Sequence, residues 1–433
     1  MAFGDGEAQR RVVWARVVGV GRFAAADEVR AAMLARLAGF AVGCSGVSPS
    51  MADALLALLN AGVHPAMPME GSVGEADLAP LAHIAEVLAG GGLVLDGDGV
   101  APASPALARA GVALPLFGPK DGLALVSSNA ASSGIGALAV VDARRTFAAL
   151  VASAALSLEG FQGNVAPLLP AAAGLRPAPG QAAVAAAVLA LLDGGGLVLP
   201  GAARLLQDPL SLRCIGPVYA ACWAALGAAT GAVELELNSS DDNPALVPGV
   251  GAVPNANFDP THMVLAFEML GQAMARIAAT LGGRVVKLMS PASSGLPRFL
   301  SPVQGRNGMA AVQKTVAALC AAIGQRVAPM PIWVLPAADG VEDYATMSLS
   351  TVEKTREILA RVRSLAAIEL LVAAQACTLR GHRLAPGAGR VLDAVRSVVP
   401  PLGEDRPSAP DIRALDALIA TGAFDAAMPG AAI

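Results

Sequence analysis

The segment SLSTVEKTREILARVRSLAAIELLVAAQAC, residues 348–377, decides the fold class. Its charged side chains, among them Glu353, Arg356 and Arg363, recur at helical spacing, and a Leu/Ile/Ala face lies opposite them. A continuous helix of about 30 residues would be about 45 Å long. A helix of that length predicts a bundle of long helices.

Further apolar segments with helical spacing lie on the N-terminal and C-terminal sides of this one. Alanine, the best helix former, dominates them together with Leu and Val, and aromatic residues make up only 3% of the chain. We therefore predict an all-α protein, with one small hairpin in the glycine-rich residues 91–112. The other predicted helices are Glu28–Ala41, Met51–Asn60, Leu78–Leu88, Leu138–Leu158, Ala182–Leu192, Ile215–Thr230, His262–Leu281, Gly308–Gln325 and Pro410–Thr421.

Polar turns rich in Gly, Pro, Asn and Asp separate these helices. In a helical protein such irregular segments are where binding groups tend to lie. The predicted turns are Glu70–Asp77, Ser127–Ser133, Gln207–Arg213, Asn238–Pro244, Asn255–Pro260 and Ala337–Tyr344.

The composition excludes several classes of protein. Hydrophobic residues make up 55% of the 433 residues and charged residues only 15%, so we expect part of the apolar surface to be buried in a homo-oligomer. The longest apolar runs stop near a dozen residues, from which we expect no membrane span. The net charge of -4 offers no basic field for nucleic acid.

Cysteine usage and the first residues bear on compartment. The five cysteines are scattered and form no C-x-x-C pair, so we expect neither a disulfide framework nor a metal site. The opening residues have no basic start followed by an apolar block, so no signal peptide is expected. We predict a cytoplasmic protein.

Four polar turns, in this order, resemble the aromatic amino acid lyase family, which includes histidine and phenylalanine ammonia-lyases. The resemblance runs from about Gln9 to the C-terminus. The matching blocks are GSVG followed by DLAPLAH within residues 71–83, GLAL at 122–125, QDPLSLRC at 207–214 with Asn238 and Asp242-Asn243-Pro244, and Asn257-Phe258 with Glu342-Asp343-Tyr344.

This resemblance implies the ammonia-lyase/aspartase-like superfamily. The implied fold is almost wholly helical, with a central bundle of long antiparallel helices. It implies a single chain over residues 1–433, in which residues 1–125 form an N-terminal helical part and residues 126–433 form the long-helix bundle and the C-terminal helices. It also implies a homotetramer whose active sites combine loops from three subunits.

The sequence departs from the family pattern where its prosthetic group is made. Family members cyclise an Ala-Ser-Gly tripeptide into an electrophilic methylidene-imidazolone between the GSVG and DLAP blocks. Here those blocks enclose only Glu75-Ala76, with neither serine nor glycine and one residue too few. We therefore expect no such cofactor, and the former cofactor loop carries a carboxylate instead.

The resemblance also implies substrate-binding roles. Arg213 matches the arginine that holds the substrate carboxylate, a task suited to a planar guanidinium. Gln207, Asn243 and Phe258 match other active-site positions, and Ser127 replaces a substrate-facing asparagine.

The candidate catalytic residues are Glu75, Glu342 and Tyr344. Glu75 stands where the electrophile would be, and Glu342 matches a family site position. Tyr344 replaces the family's usual histidine and is a candidate general base. The family's tyrosine in the third block is Leu210, and no tyrosine precedes Tyr219.

Each of these residues also has an ordinary structural interpretation. Arg213 could form a salt bridge at a helix start, and Glu342 could favour the N-terminus of the following helix. Asn243 lies in a sequence typical of turns, and Glu75 could be an ordinary loop residue near a helix N-terminus.

Two functions remain open from the sequence. The first is a carbon–nitrogen lyase without the prosthetic group, acting on a small carboxylate-bearing, amino-acid-like substrate. A betaine suits it, because trimethylamine is a better leaving group than ammonia; ergothionase, which the family also resembles, is a lyase of that kind. The alternative is a catalytically silent or recruited homologue that keeps the tetramer and a carboxylate-binding pocket for another reaction or a partner.

Overall fold

The computed structural model describes residues 4–331 and 335–429, and most of them are helical. This confirms the all-α prediction. The helices are α1 Gly6–Trp14, α2 Ala26–Val42, α3 Pro49–Asn60, α4 Leu78–Leu88, α5 Ala103–Ala110, α6 Asp121–Val126, α7 Ala130–Phe161, α8 Pro170–Ala173, α9 Gln181–Leu192, α10 Leu210–Arg213, α11 Ile215–Leu237, α12 Thr261–Leu288, α13 Pro291–Ser294, α14 Val312–Arg326, α15 Ser348–Arg380, α16 Pro386–Arg396 and α17 Ala409–Ala420.

Three short antiparallel pairs of strands complete the regular structure of these residues. The predicted hairpin is present as β3 and β4, although the residues after it form helix α5. The pairs are β1 Val20–Phe23 with β2 Pro68–Glu70, β3 Leu93–Asp96 with β4 Gly99–Pro102, and β5 Ala245–Val247 with β6 Gly251–Val253.

The chain divides into two compact units. Unit 1 comprises Met1–Ala139, Ala229–Phe267 and Pro329–Glu353. Unit 2 comprises Val140–Ala228, Glu268–Ala328 and Lys354–Ile433.

Four long helices meet at a buried polar cluster in unit 2. The guanidinium of Arg284 on α12 binds the carboxylate of Glu369 on α15 at 2.5 and 3.0 Å, and both side chains are fully buried. Ser153 and Ser157 on α7 donate to the same carboxylate at 2.8 Å, and Arg284 donates to the hydroxyl of Tyr219 on α11 at 2.6 Å. Both oxygens of the Glu369 carboxylate accept hydrogen bonds, so this charged cluster can lie in an apolar bundle.

A second buried ion pair organises unit 1. Arg36 on α2 donates from Nη2 to Asp242 at 2.6 Å and from Nε to the carbonyl of Ala124 on α6 at 2.8 Å. Lys120 lies 3.9 Å from the same aspartate. These contacts hold the turn that carries Asn243 against α2 and α6, and the peptide bond between Asn243 and Pro244 is cis.

The expectation about apolar length was wrong. Averaged over 18 residues, four helical regions are long and apolar enough to cross a membrane: Asp121–Phe161, Ile215–Leu237, Thr261–Leu288 and Ser348–Arg380. Isolated polar residues interrupt each apolar run. The length of the uninterrupted runs is therefore a poor guide to the mean hydropathy of an 18-residue window. Between 44% and 83% of each apolar window is buried inside the protein, which accounts for part of this apolar character.

Candidate active site

The loop that carries Glu75 joins β2 to α4 in unit 1, and Asp77 fixes its C-terminal end. Asp77 is fully buried and accepts hydrogen bonds from Ser72 Oγ at 2.8 Å and from the amide and hydroxyl of Ser132 at 2.7 and 2.9 Å. Its own amide donates to the carbonyl of Ser128 at 2.7 Å. The loop therefore ends in a fully hydrogen-bonded carboxylate rather than in a solvent-exposed turn.

Asn129 connects this loop to two other parts of unit 1. Its side-chain oxygen accepts from the amide of Ala76 at 3.2 Å, and its side-chain nitrogen donates to the carbonyl of Phe258 at 2.9 Å. Its backbone amide donates to Asp241 at 2.5 Å, and the hydroxyl of Ser128 donates to the same oxygen. A single buried amide side chain thus holds the Glu75 loop against the turn that carries Phe258.

The N-terminal end of the loop packs against the start of α15. The amide of Met347 donates to the carbonyl of Val73 at 2.8 Å, and the hydroxyl of Thr346 donates to the carbonyl of Gly74. Gly74 has φ +83, and a Cβ there would lie 2.4 Å from both the amide of Ser348 and the Thr346 hydroxyl. Only glycine fits this close approach.

Glu75 lies between these two anchors. Its Oε1 is buried and has no hydrogen-bond partner among the described residues. Burial, together with the negative charge of Asp259, raises the pKa of Glu75 to about 7, although a hydrogen bond from the Thr346 amide acts in the opposite direction. The carboxyl group is therefore poised to exchange a proton near neutral pH.

Glu236, at the end of α11, has a similar setting. Burial and the charge of Asp241 raise its pKa to about 7, with a smaller contribution from Asp259. A hydrogen bond with Asn129 partly offsets this effect. Asp259 thus acts electrostatically on both Glu75 and Glu236, and the region carries an excess of carboxyl groups.

Asn243, Phe258 and Ser127, three of the predicted site residues, lie in unit 1 together with Glu75. Asn243 accepts from the amide of Asn255 at 3.1 Å, and Phe258 is tied to Asn129 through its carbonyl. Ser127 is buried at the end of α6. Of these three residues, Phe258 is connected to the Glu75 loop through Asn129.

Tyr344 and Glu342 lie on the exposed approach to α15. The hydroxyl of Tyr344 is 3.1 Å from that of Thr261, and 48% of the side chain is exposed. Glu342 is exposed, and its backbone pairs with Ala337. Their proposed catalytic roles stay predictions.

Arg213 and Gln207 belong to unit 2, where they contact each other. Arg213 Nη1 donates to Gln207 Oε1 at 2.7 Å, and Arg213 Nε is buried without a partner among the described residues. Burial raises the pKa of the neighbouring Asp208, and the charges of Arg204 and Arg213 moderate that rise.

Sequence reasoning missed Asn129, Glu236, Asp259 and Thr346. Asn129 lies in the predicted polar turn Ser127–Ser133, two positions after the serine that was chosen there. Asp259 likewise lies in a predicted turn. The available signal was the density of polar residues in those turns, which identified the segments without distinguishing the side chains.

The hydrogen bonds and sequence of the Glu75 loop bear on whether it could form the family's prosthetic group. The one serine of the loop, Ser72, donates to Asp77 and accepts from the amide of Gly74 at 3.1 Å, and no serine lies between Gly74 and Asp77. Among the described residues, no group of three or more His, Cys, Asp or Glu side chains is arranged to hold a metal ion.

Comparison with known proteins identifies the family. A sequence profile for aromatic amino acid lyases matches residues 5–397. The chain belongs to the aromatic amino acid lyase family. Histidine ammonia-lyase from Anaeromyxobacter sp. (strain K) is 39% identical over 434 residues, covering 96% of this chain and 85% of that protein. Histidine ammonia-lyase from Gloeobacter violaceus is 37% identical over 421 residues, covering 96% and 82%.

Solved structures of this family share the fold. Ergothionase from Treponema denticola, in complex with desmethyl-ergothioneine sulfonic acid, has a TM-score of 0.90 and 29% identity, covering 97% of this chain and 85% of that one. Tyrosine aminomutase from Streptomyces globisporus has a TM-score of 0.91 and 31% identity, covering 97% and 84%. The resemblance inferred from the sequence and the superfamily fold are both confirmed, and the protein is carbon–nitrogen lyase-like.

Proposed function

We propose that this protein is a carbon–nitrogen lyase that works without the methylidene-imidazolone group and eliminates trimethylamine from an amino-acid-derived betaine. The observation that carries the proposal is the setting of Glu75. Its carboxylate occupies the segment where the electrophile is made in the family, on a loop held at both ends, with one oxygen buried and unpartnered among the described residues.

Electrostatics favours a cationic group at Glu75. The negative charge of Asp259 raises the pKa of both Glu75 and Glu236. The buried cations Arg36 and Lys120 face Asp241 and Asp242 instead. A bound cation would favour the ionised carboxylates and lower their pKa values. A quaternary ammonium has no N–H to donate, so its attraction to this region is purely electrostatic.

The elimination needs no electrophile. A base removes a proton from the β-carbon, the C–H electrons form the Cα=Cβ bond, and the C–N electrons leave with neutral trimethylamine. The products are an acrylate, trimethylamine and the protonated base, which then returns its proton to solvent. We propose that Glu75 or Glu342 faces the cation and that Tyr344 or Glu75 itself is the base, because a carboxyl with a pKa of about 7 is half ionised at neutral pH.

We propose that Arg213 grips the substrate carboxylate, with Gln207 orienting its guanidinium and Asn243, Phe258 and Ser127 lining the substrate. The buried, unpartnered Nε of Arg213 supports this role, because a bidentate carboxylate would satisfy it. We further propose a cytoplasmic homotetramer with shared active sites, away from membranes and nucleic acid. The scattered positions of the five cysteines, with no C-x-x-C pair, support the proposed reducing compartment.

The second candidate is a silent or recruited homologue that binds a carboxylate without this reaction. The observation that favours it is Leu210, which replaces the family's tyrosine and is 64% exposed.

Betaine turnover tests the proposal. The purified protein is given histidine, phenylalanine, tyrosine and their trimethylated betaines, and trimethylamine, ammonia and acrylate are measured, together with thermal stabilisation by each compound. We expect trimethylamine and acrylate from a betaine and no ammonia. Glu75→Gln and Arg213→Ala should each lower turnover at least about tenfold, whereas Glu234→Gln, which removes an exposed carboxyl on α11, should not.

The alternatives give different results. Stabilisation by a carboxylate ligand without turnover selects the silent homologue. Turnover that survives both Glu75→Gln and Arg213→Ala contradicts the assigned roles. Mass spectrometry of the peptide that contains Glu75 should give its unmodified mass, and a loss of two water molecules would contradict the cofactor-free proposal.

A further inference from the structure

Unit 2 contains a surface cavity of about 520 Å³ that no proposed catalytic residue lines. Its lining includes Gln162, Gly194–Gly196, His382 and Arg383. The volume lies within the range of small-molecule sites, about 300–1,000 Å³. None of its lining residues is an acid.

Arg383 supplies a free positive charge to this cavity. Its side chain is exposed, and the described residues provide it with neither a hydrogen bond nor an ion pair. A planar guanidinium offers five donors and binds carboxylate or phosphate oxygens in pairs. An unoccupied guanidinium that lines a cavity without acids is suited to an anion.

His382 is held in place beside Arg383 by a buried carboxylate. Its Nε2 lies 2.9 Å from Glu159 Oε2, and Glu159 is fully buried and also accepts from the amide of Ala385 at 3.2 Å. These contacts fix the orientation of the His382 ring. Its Nδ1 is buried and has no hydrogen-bond partner among the described residues.

Two further arginines, Arg204 and Arg380, lie in this part of unit 2. Arg380 donates to the carbonyls of Gly160 at 3.1 Å and Ser294 at 2.6 Å, and Arg204 lies over the ring of Phe161 at 4.7 Å. Burial and the like charge of Arg204 lower the pKa of Arg380. The hydrogen bonds of Arg380 are made to the protein, so Arg383 is the cation left to contact a ligand directly.

Gly194–Gly196 form part of the cavity wall without side chains. Gly194 has φ +74, and a Cβ at Gly195 would lie 2.7 Å from that of Ala385. No side chain therefore fills the cavity from this side, and backbone forms its surface.

We propose that this cavity binds a small oxyanion ligand, a carboxylate or a phosphate, with Arg383 as its direct partner and the His382 ring, held by Glu159, as part of its wall. The proposal does not depend on the lyase reaction. It assigns the cavity a binding role separate from Glu75 and Arg213.

Ligand titration of the full-length protein tests the site. Inorganic phosphate, acetate and succinate are titrated separately by calorimetry, with sodium chloride at matched ionic strength as reference. We expect saturable binding of phosphate or of a carboxylate. Arg383→Gln should weaken it about tenfold and His382→Gln about threefold. Arg390→Gln, which removes an exposed arginine from neighbouring α16, should leave it unchanged.

The anions distinguish the source of the ligand. Binding of phosphate alone indicates a phosphorylated ligand, and binding of acetate or succinate alone indicates an organic acid. The proposal is overturned if chloride gives the same heat as every oxyanion, or if Arg383→Gln binds as tightly as the native protein. Because Arg383 is exposed, its variant should fold, and the thermal unfolding of each variant provides the check.

Discussion

Glu75 makes stability depend on pH. The folded-state pKa is about 7, whereas an unfolded glutamate titrates at about 4.3. The folded state therefore holds the proton more tightly, and this contribution to stability is present below about pH 4 and lost as the pH rises through about 7. We expect Glu75→Gln to be neutral at about pH 4 and to raise the free energy of unfolding by about 1 kcal/mol at about pH 8, a value reduced because the side chain is partly exposed.

Denaturant unfolding at both pH values measures this difference. Glu234→Gln, which removes an exposed carboxyl, is the control. An equal effect of Glu75→Gln at both pH values would contradict the raised pKa.

Asn129 is the residue on which the loop depends most. Replacing it with alanine leaves the Ala76 amide and the Phe258 carbonyl without their partner in a buried site. We expect Asn129→Ala to lower the free energy of unfolding by about 2–3 kcal/mol. Asn238→Ala, which removes an exposed side chain that bonds only to the carbonyl of Glu234, should change it by less than about 0.5 kcal/mol. Similar losses in the two variants would show that Asn129 has no special role.

The contact between the Glu75 loop and α15 gives a prediction for a whole element. Gly74→Ala would place a methyl group 2.4 Å from the Ser348 amide, so the loop must move away from the helix start. Gly97→Ala, at φ +57 between β3 and β4, meets nothing within 4 Å and tests backbone strain alone. We expect Gly97→Ala to cost about 1 kcal/mol and Gly74→Ala at least about 3 kcal/mol, with loss of ligand binding in the latter. Equal costs in thermal unfolding would contradict the close packing.

The helices were predictable because their apolar periodicity is local. Helix α4 begins and ends where the sequence predicted. Helix α15 begins at the predicted Ser348 and continues past the predicted end, Cys377, to Arg380. Helix α7 begins eight residues before the predicted Leu138, at Ala130, because Ser132 and Ser133 are buried with their hydroxyls bonded to Asp77 and to the carbonyl of Asn129. Hydrogen bonds to these partners allow polar residues, which the sequence predicts to be a loop, to begin a helix.

The site was less predictable because its contacts join residues that are far apart in the chain. Glu75 could be identified because its neighbours in the chain mark its position. Asn129 and Asp241 are 112 positions apart, and no local pattern joins them. Which polar side chain of a turn faces Glu75 is decided by packing across unit 1.

Assembly is the prediction for the whole molecule. The apolar windows of α11 and α12 are only 44% and 50% buried within the chain, and Leu265 on α12 is 64% exposed. Covering these faces with other copies would remove apolar surface from water. We expect light scattering to give a tetramer for the native protein, and Leu265→Asp to shift it to smaller species while its helical circular dichroism is kept. A native monomer, or a tetramer unaffected by Leu265→Asp, would contradict the proposed assembly face.

The Glu75 loop has a further consequence for how the protein recovers ligand binding after it has been unfolded. Glu75 is a genetically encoded side chain. Its loop donates hydrogen bonds to Asn129 and to the carbonyl of Ser128, and accepts one from the hydroxyl of Thr346. Under the cofactor-free proposal, the site needs no chemical maturation after the chain has folded. Protein unfolded in urea and diluted back should therefore recover ligand binding together with its helices, with no later maturation phase.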